Sequence, residues 1–216
     1  MTLHQIAQRT DEWKALRCGR VTGTMAKDVL ATIKSGEAAA RRDARLKLVA
    51  EWLTGQPQED DYMNAAMQRG TDLEPMALQA YEVLTGNLAR PIGFITDGDH
   101  LGCSPDGLIG DDGLLELKCP KSATHIRYLR EGRMPPEHLP QIIHNLMVSG
   151  RAYCDFLSFD DRLGDGLDTF LVRVTKAEIA ASMADYAVAV SKFLDEARAE
   201  LDTVKTLRRP HAISTR

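Results

Sequence analysis

Residues 101–120, LGCSPDGLIGDDGLLELKCP, are two short apolar runs joined by Gly-Asp-Asp-Gly, a pattern that predicts a β-hairpin. Asp106 ends the first run, and Glu116 and Lys118 lie inside the second. Each sits among Leu, Ile and Cys, where a charge gives up part of its hydration and needs a partner. Alternation along a strand puts Glu116 and Lys118 on one face and Leu115, Leu117 and Cys119 on the other. A loop of about three residues at GDDG places Asp106 opposite Glu116, with side-chain bases roughly 5 Å apart. Pro105 within a strand implies an edge or a bulge, which re-aims the residue after it. Two carboxylates this close raise one another's pKa unless a cation sits between them. Lys118 could serve, as a structural ion pair; so could a hard divalent metal, which oxygen ligands suit.

Upstream, the apolar spacing is helical. Thr10 caps DEWKALR with Trp13 and Leu16 inward, and Thr22 or Thr24 can cap a second helix through Met25, Val29 and Leu30. Between them CGRVTGT is a turn rich in N–H and hydroxyl donors. AAARRDARLKLVAEWLTG and NAAMQRGTDLEPMALQAYEVLTG predict two longer helices, the second with irregularities at Gly70 and Pro75 beside Glu74. RPIGFIT, HLGCSPDGLI and LLELKC then read as a β-meander. ATHIRYLREG and PEHLPQIIHNLMVSG return to helix, YCDFLSF and DTFLVRV to strand, and residues 176–204 to a closing helix before a polar tail.

Composition excludes several classes. The chain has 216 residues, 44% apolar and 27% charged, with no Pro/Gly/Ser-rich linker, so one globular domain is expected. No apolar run reaches the length of a membrane helix and the N-terminus lacks a secretory apolar core, so a cytoplasmic protein without membrane contact is expected. Cys18, Cys103, Cys119 and Cys154 show no ligand or disulfide spacing and read as small buried thiols. The net charge of −4 hides an asymmetry: residues 1–50 carry ten Lys/Arg against five Asp/Glu. That is compatible with a basic approach to an acidic site, and equally with solvated helix faces.

At SPDG, with Glu116 ten residues beyond Asp106 in ELKCP, the chain resembles the PD-(D/E)XK nucleases. The CP extension resembles the lambda exonuclease type of viral and prophage alkaline exonucleases. EWKALRCGRVTGT, RGTDLEPMALQAYE and LPQIIHNLMVSG extend the likeness over roughly residues 9–162. The resemblance implies an α/β fold, a central mixed sheet of about five strands flanked by helices. It divides one nuclease domain, 1–216, into a helical part that receives DNA (1–90), a catalytic sheet core (91–175), a C-terminal helix (176–204) and a tail (205–216).

It further implies that Asp106, Glu116 and the Leu117 carbonyl hold Mg²⁺ or Mn²⁺ and that Glu74 adds a carboxylate for a second ion, the pair about 4 Å apart. Lys118 would orient and acidify the attacking water, and Gln141 would fix Lys118 or that water. Arg17, Thr24 and Ser104 match a 5′-phosphate pocket, a guanidinium fork with two hydroxyls. A second phosphate-binding arginine of the family is Thr124 here, with Lys121, His125 or Arg127 as replacements. Lys34 aligns with a minor-groove contact and Met67 with an apolar wedge that parts the terminal base pairs.

The function implied is a Mg²⁺-dependent 5′-to-3′ exonuclease that degrades one strand of linear duplex DNA to mononucleotides. It would leave a 3′ overhang for a single-strand annealing recombinase and work as a ring-shaped homotrimer. The competing readings are an endonuclease or single-strand nuclease with the same core, and a non-catalytic DNA clamp that recruits a recombinase. Trp13 is expected in the core, and His100, His125, His138 and His144 in surface or capping roles.

Overall fold

Helices form where apolar residues recur on one face, and here they precede and enclose the strands. The computed structural model describes residues 1–58 and 65–207, except the side chains of residues 66 and 67. Strand β1 (Thr2–His4) leads into α1 (Asp11–Arg17), whose first turn is capped by Thr10 Oγ1 accepting from the Trp13 N–H. A 3-10 turn (Gly23–Met25) and the short α2 (Ala26–Val29) precede α3 (Ala39–Thr54), which Gly55 stops in the left-handed conformation. Helix α4 (Ala65–Thr85) runs on through Pro75.

The strands are β2 (Ala89–Arg90), β3 (Phe94–Asp97), β4 (Leu101–Cys103), β5 (Gly107–Ile109) and β6 (Gly113–Lys118). Helices α5 (Ser122–Glu131) and α6 (Leu139–Ser149), strands β7 (Tyr153–Phe159) and β8 (Thr169–Thr175), and α7 (Ala180–Thr206) complete the order.

The main sheet has the order β2-β5-β6-β7-β8, mixed because β6 and β7 alone run parallel, as the implied fold requires. The expected meander is not formed. β3 pairs with β4 on one side and with the unforeseen β1 on the other in a second, three-stranded sheet, and the chain crosses to the main sheet at Ser104–Asp106. Pro105 has no N–H to continue a ladder, so the run HLGCSPDGLI divides there. Two further expectations change. Trp13 and Leu16 are only partly buried, since no residue of α1 enters the core. The second helix is reduced to a 3-10 turn and four α residues, with Thr22 at its start making no capping bond.

β6 is the central strand, and its run of apolar residues reflects burial on both faces. Leu114 packs with Ile142 and Leu146 of α6 and Phe193 of α7; Leu115 and Leu117 pack with Leu73, Ala77 and Tyr81 of α4. Among the described residues no helix is long and apolar enough to cross a membrane.

Helix α4 is fixed to the sheet by a buried polar contact. Tyr81 OH donates to Asp155 Oδ2 (2.7 Å), while Arg173, the cross-strand partner of Asp155, donates through Nε (2.7 Å) and Nη2 (2.9 Å). Asp155 is 1% exposed. Asp155→Ala would leave the buried Tyr81 hydroxyl without its acceptor and free the half-exposed Arg173, and should destabilise the fold by about 2 kcal/mol. Urea unfolding measures this, and a change near zero would show that Asp155 does not hold α4.

Candidate active site

Glu116 stands in the middle of β6, 2% exposed, on the face covered by α6. Four-residue spacing puts Gln141 and Asn145 on one face of that helix. Gln141 Nε2 donates to Glu116 Oε1 (2.6 Å), and Asn145 Nδ2 donates to Oε2 (3.3 Å). Lys118, two residues along the strand, places its ammonium on Oε1. Burial alone would lower the Lys118 pKa, but Glu116 and Asp106 outweigh it and hold the ammonium well above its ordinary value. In the metal-free chain Lys118 is therefore held as the ammonium.

Asp106 arrives from the other strand of the hairpin. The loop is three residues, Gly110–Asp112, because Ile109 pairs with Gly113. Gly107 pairs with Leu115, and the Asp106 N–H also donates to the Leu115 carbonyl (3.0 Å). Two residues against one is the mark of a β-bulge, and it turns the Asp106 side chain so that Oδ2 accepts from the Leu117 N–H (2.6 Å). Burial first, then Glu116, pushes the Asp106 carboxyl up to about 7 from its ordinary 3.8, against the opposing pull of Lys118.

The Leu117 carbonyl follows from the same register. Backbone groups two residues apart on a strand face the same neighbour, so Leu117, like Leu115, turns its N–H and C=O toward β5. β5 begins at Gly107, opposite Leu115, and leaves that carbonyl beside Asp106 without a ladder partner.

Glu74 comes from α4 and takes a different direction. It is bound by both Nη groups of Arg9, at 3.2 and 2.5 Å, across a cavity of about 460 Å³ that Arg9, Glu74, Asp106 and Leu117 line together. No three His, Cys, Asp or Glu side chains meet at metal spacing among the described residues. The donors still fit a hard divalent cation. Asp106, Glu116 and the leftover Leu117 carbonyl are all oxygen, and the two carboxylates share only one neighbouring ammonium.

The second candidate set lies on adjoining segments. Val21 pairs with Leu101 in a parallel bridge, so Thr24 and Ser104, each three residues further on, follow from one point of contact. Thr24 Oγ1 lies 3.1 Å from Thr22 Oγ1. Trp13 joins the other two members: the Arg17 guanidinium lies 4.2 Å above its ring, and its Nε1–H is shared by Ser104 Oγ (2.9 Å) and the Gly93 carbonyl (3.0 Å).

Other expected positions fare unequally. Of the candidates to replace the arginine absent at Thr124, His125 is fully buried against Ser158 and the Leu167 carbonyl, and Arg127 is paired with Glu137. Lys121 is exposed at the start of α5. Lys34 is exposed in the loop after α2. The Met67 side chain lies outside the described residues.

His125 and His144 are not surface residues. His144 is buried between the Tyr186 hydroxyl (2.8 Å) and the Gly102 carbonyl (2.9 Å), and burial pushes its pKa down to about 4. His138 occupies the N-cap position of α6. All four cysteines are free, but only Cys103 and Cys154 are buried. Sequence reasoning passed over Asn145, Arg9 and the bridging role of Trp13. Asn145 had a signal, four residues after Gln141 in QIIHN; Arg9 had none.

Comparison with known proteins agrees with this architecture. The YqaJ-like viral recombinase domain matches residues 12–152. Two structures of an alkaline exonuclease from Laribacter hongkongensis, the second in complex with dAMP, align at 40% and 39% identity, with TM-scores of 0.81 and 0.82. Each alignment covers 91% of this chain and 97% of the other. A phage-related exonuclease from Haemophilus somnus aligns at 13% identity and a TM-score of 0.59 over 84% of this chain and 96% of its own, a likeness of fold alone. No curated protein matches.

The raised Asp106 carboxyl has a pH signature. An unfolded chain ionises it near 3.8 and the folded, metal-free chain near 7. Between these values the folded state holds the extra proton, so metal-free stability falls as pH rises through the window and levels off above it. Asp106→Asn removes this penalty and can still accept from the Leu117 N–H. It should melt above the wild type at about pH 8 without metal, match it below about pH 4, and lose the rise in melting temperature that Mn²⁺ gives the wild type. Melts across that range decide it; an Asn variant less stable than wild type at the upper end would contradict the burial of an unmatched charge.

Proposed function

The chain belongs to the YqaJ-like viral recombinase family, the lambda exonuclease type, and from that premise we propose that it is a Mg²⁺- or Mn²⁺-dependent exonuclease that degrades one strand of linear duplex DNA from its 5′ end. The observation that carries this reading is the pairing of Asp106 with Glu116 around one ammonium, a cluster with more negative than positive charge in which Glu116 is buried and Asp106 and Lys118 are partly so. Asp106, Glu116 and the Leu117 carbonyl would hold one ion; Glu74, once released by Arg9, would serve a second. Bound there, the metal supplies Lewis-acid stabilisation of the phosphoryl group and acidity for the attacking water.

The remaining work falls to the chain's own groups. Lys118 keeps its charge and offsets the negative charge that develops on the phosphate in the transition state. Gln141 fixes the Glu116 oxygen that Lys118 also touches, which holds both in one geometry. Arg17, with Trp13 beneath it, would grip a terminal 5′-phosphate together with the Thr24 and Ser104 hydroxyls, and Lys121 is the available replacement for the arginine absent at Thr124. Lys34 would reach the minor groove, and Met67 is retained as the candidate wedge.

The products would be mononucleotides, in keeping with the dAMP held by the relative, and a 3′ single-stranded overhang. Double-stranded ends, a homotrimeric ring and an annealing recombinase in the cytoplasm complete the proposal. The chain would act as one nuclease domain, with residues 1–90 receiving DNA, 91–175 cutting it, and 176–204 packing behind.

Incubating end-labelled linear duplex and closed circles with Mg²⁺ or EDTA tests this. Mononucleotides should appear from the 5′ label on linear DNA only, and cutting of the circle would instead identify an endonuclease. Glu116→Gln and Lys118→Ala should each lower the rate by at least about a hundredfold while DNA binding persists. A non-catalytic clamp predicts no Mg²⁺-dependent release from the wild type at all. Arg17→Ala should reduce the preference for phosphorylated over hydroxyl 5′ ends, and an unchanged ratio would remove Arg17 from the pocket.

A further inference from the structure

Asn145 touches both halves of the site just described. Its side chain is 1% exposed, and its Nδ2–H donates to Glu116 Oε2 (3.3 Å). The amide's other end has no such satisfaction: Oδ1 is buried without a hydrogen-bond partner. Turning the amide over would set Oδ1 against the carboxylate, so Glu116 dictates its orientation and the orphaned oxygen is the consequence.

That oxygen rests on Gly23. A Cβ at Gly23 would stand 2.4 Å from Asn145 Oδ1 and 3.1 Å from Gln141 Cγ, so the close approach of the Thr22-Gly23-Thr24 turn to α6 requires glycine. The Asn145 main chain meets the neighbouring segment too, with its carbonyl 3.9 Å from the buried Cys103 Sγ. Asn145 thus contacts the residue directly before Thr24 and the residue directly before Ser104, while its amide holds Glu116.

We propose that Asn145 is a positioning residue, a strut that fixes the metal-binding Glu116 relative to the terminal-phosphate pocket. It rests on the reading of the site given above and extends it. An enzyme that cuts at a set distance from a captured end needs those two places held in register, since small displacements of reacting groups are costly to rate. Gln141 and Lys118 both act on Oε1 and leave the carboxylate free to turn about it; Asn145, on Oε2, removes that freedom.

The test uses Mn²⁺ binding, followed by the paramagnetic resonance signal of free Mn²⁺, together with the ratio of digestion rates on 5′-phosphorylated and 5′-hydroxyl duplexes. Asn145→Ala should weaken Mn²⁺ binding about 10- to 100-fold, the range for partners that orient metal ligands, and lower the end-discrimination ratio at saturating Mn²⁺. Gly23→Ala, which does not itself touch the carboxylate, should reproduce the loss because its methyl displaces the Asn145 amide, 2.4 Å from where that methyl would stand. In the double variant the 2.4 Å clash with Asn145 is gone and only the milder 3.1 Å approach to Gln141 Cγ remains, so its affinity should lie within about threefold of Asn145→Ala alone.

Asn145→Leu keeps the volume without the donor and should show the same Mn²⁺ loss if the alanine variant unfolds. Wild-type affinity in Asn145→Ala or Asn145→Leu, or Gly23→Ala losses that add in full to those of Asn145→Ala, would overturn the strut. A wild type that binds no Mn²⁺ would overturn the metal reading beneath it, a separate and visible failure.

Discussion

Glu116 carries its charge at the midpoint of a strand that has α6 on one face and α4 on the other, and its hydration has to be replaced by donors brought from elsewhere in the chain. Lys118 comes from the same strand, Gln141 and Asn145 from consecutive turns of α6. That requirement fixes the height of α6 on the sheet. It also explains why the helix that completes the site leans on the Gly23 turn, where a side chain as small as alanine's has no room. Three donors on one carboxylate leave few rotamers, the preorganisation that electrostatic catalysis relies on.

Asp106 has the opposite situation. Its one donor among the described residues is a backbone N–H, and the Lys118 ammonium is already taken by Glu116, so the second carboxylate meets desolvation and repulsion together. Asp106 is thus a destabilising group in the metal-free chain, and the proposed metal site would give it a use. The polar cluster Tyr81–Asp155–Arg173, whose buried carboxylate has a donor on each oxygen, contributes to stability on the other side of the sheet.

How much of this was legible depended on the range of the interaction. Local rules were enough for the helix stop at Gly55, for the three-residue loop before Gly113 and for the shared face of Glu116 and Lys118. The loop length then set Asp106 beside Glu116, and Pro105 marked the bulge that turns it. Non-local pairing was not legible. Nothing in RPIGFIT or HLGCSPDGLI separates strands of the main sheet from strands that join β1, because both are short apolar runs and only tertiary packing assigns them. His125 and His144 were misplaced for a related reason: each is satisfied by residues 33 to 42 positions away, so its burial has no local pattern. Arg9 stands in the left-handed region at φ 69°, a conformation that no sequence rule assigns to arginine.

The same contrast orders the ligands themselves. Glu116 is nearly sealed, whereas the Arg9–Glu74 pair is 46% and 36% exposed. Exposed pairs are typically worth about 1 kcal/mol or less, since solvent screens them and two long side chains lose entropy to form them, and the bidentate geometry here places this one toward the upper end. A divalent cation held there could compete with one guanidinium at that exposure, while Glu116 would stay with its three donors. In the proposed site, therefore, an ion held by Asp106, Glu116 and the Leu117 carbonyl would relieve the repulsion between carboxylates that are already in place, whereas Glu74 would have to leave Arg9 before it could serve a second ion. On that reading the least restrained side chain of the acidic set is the one whose part would wait on a bound substrate.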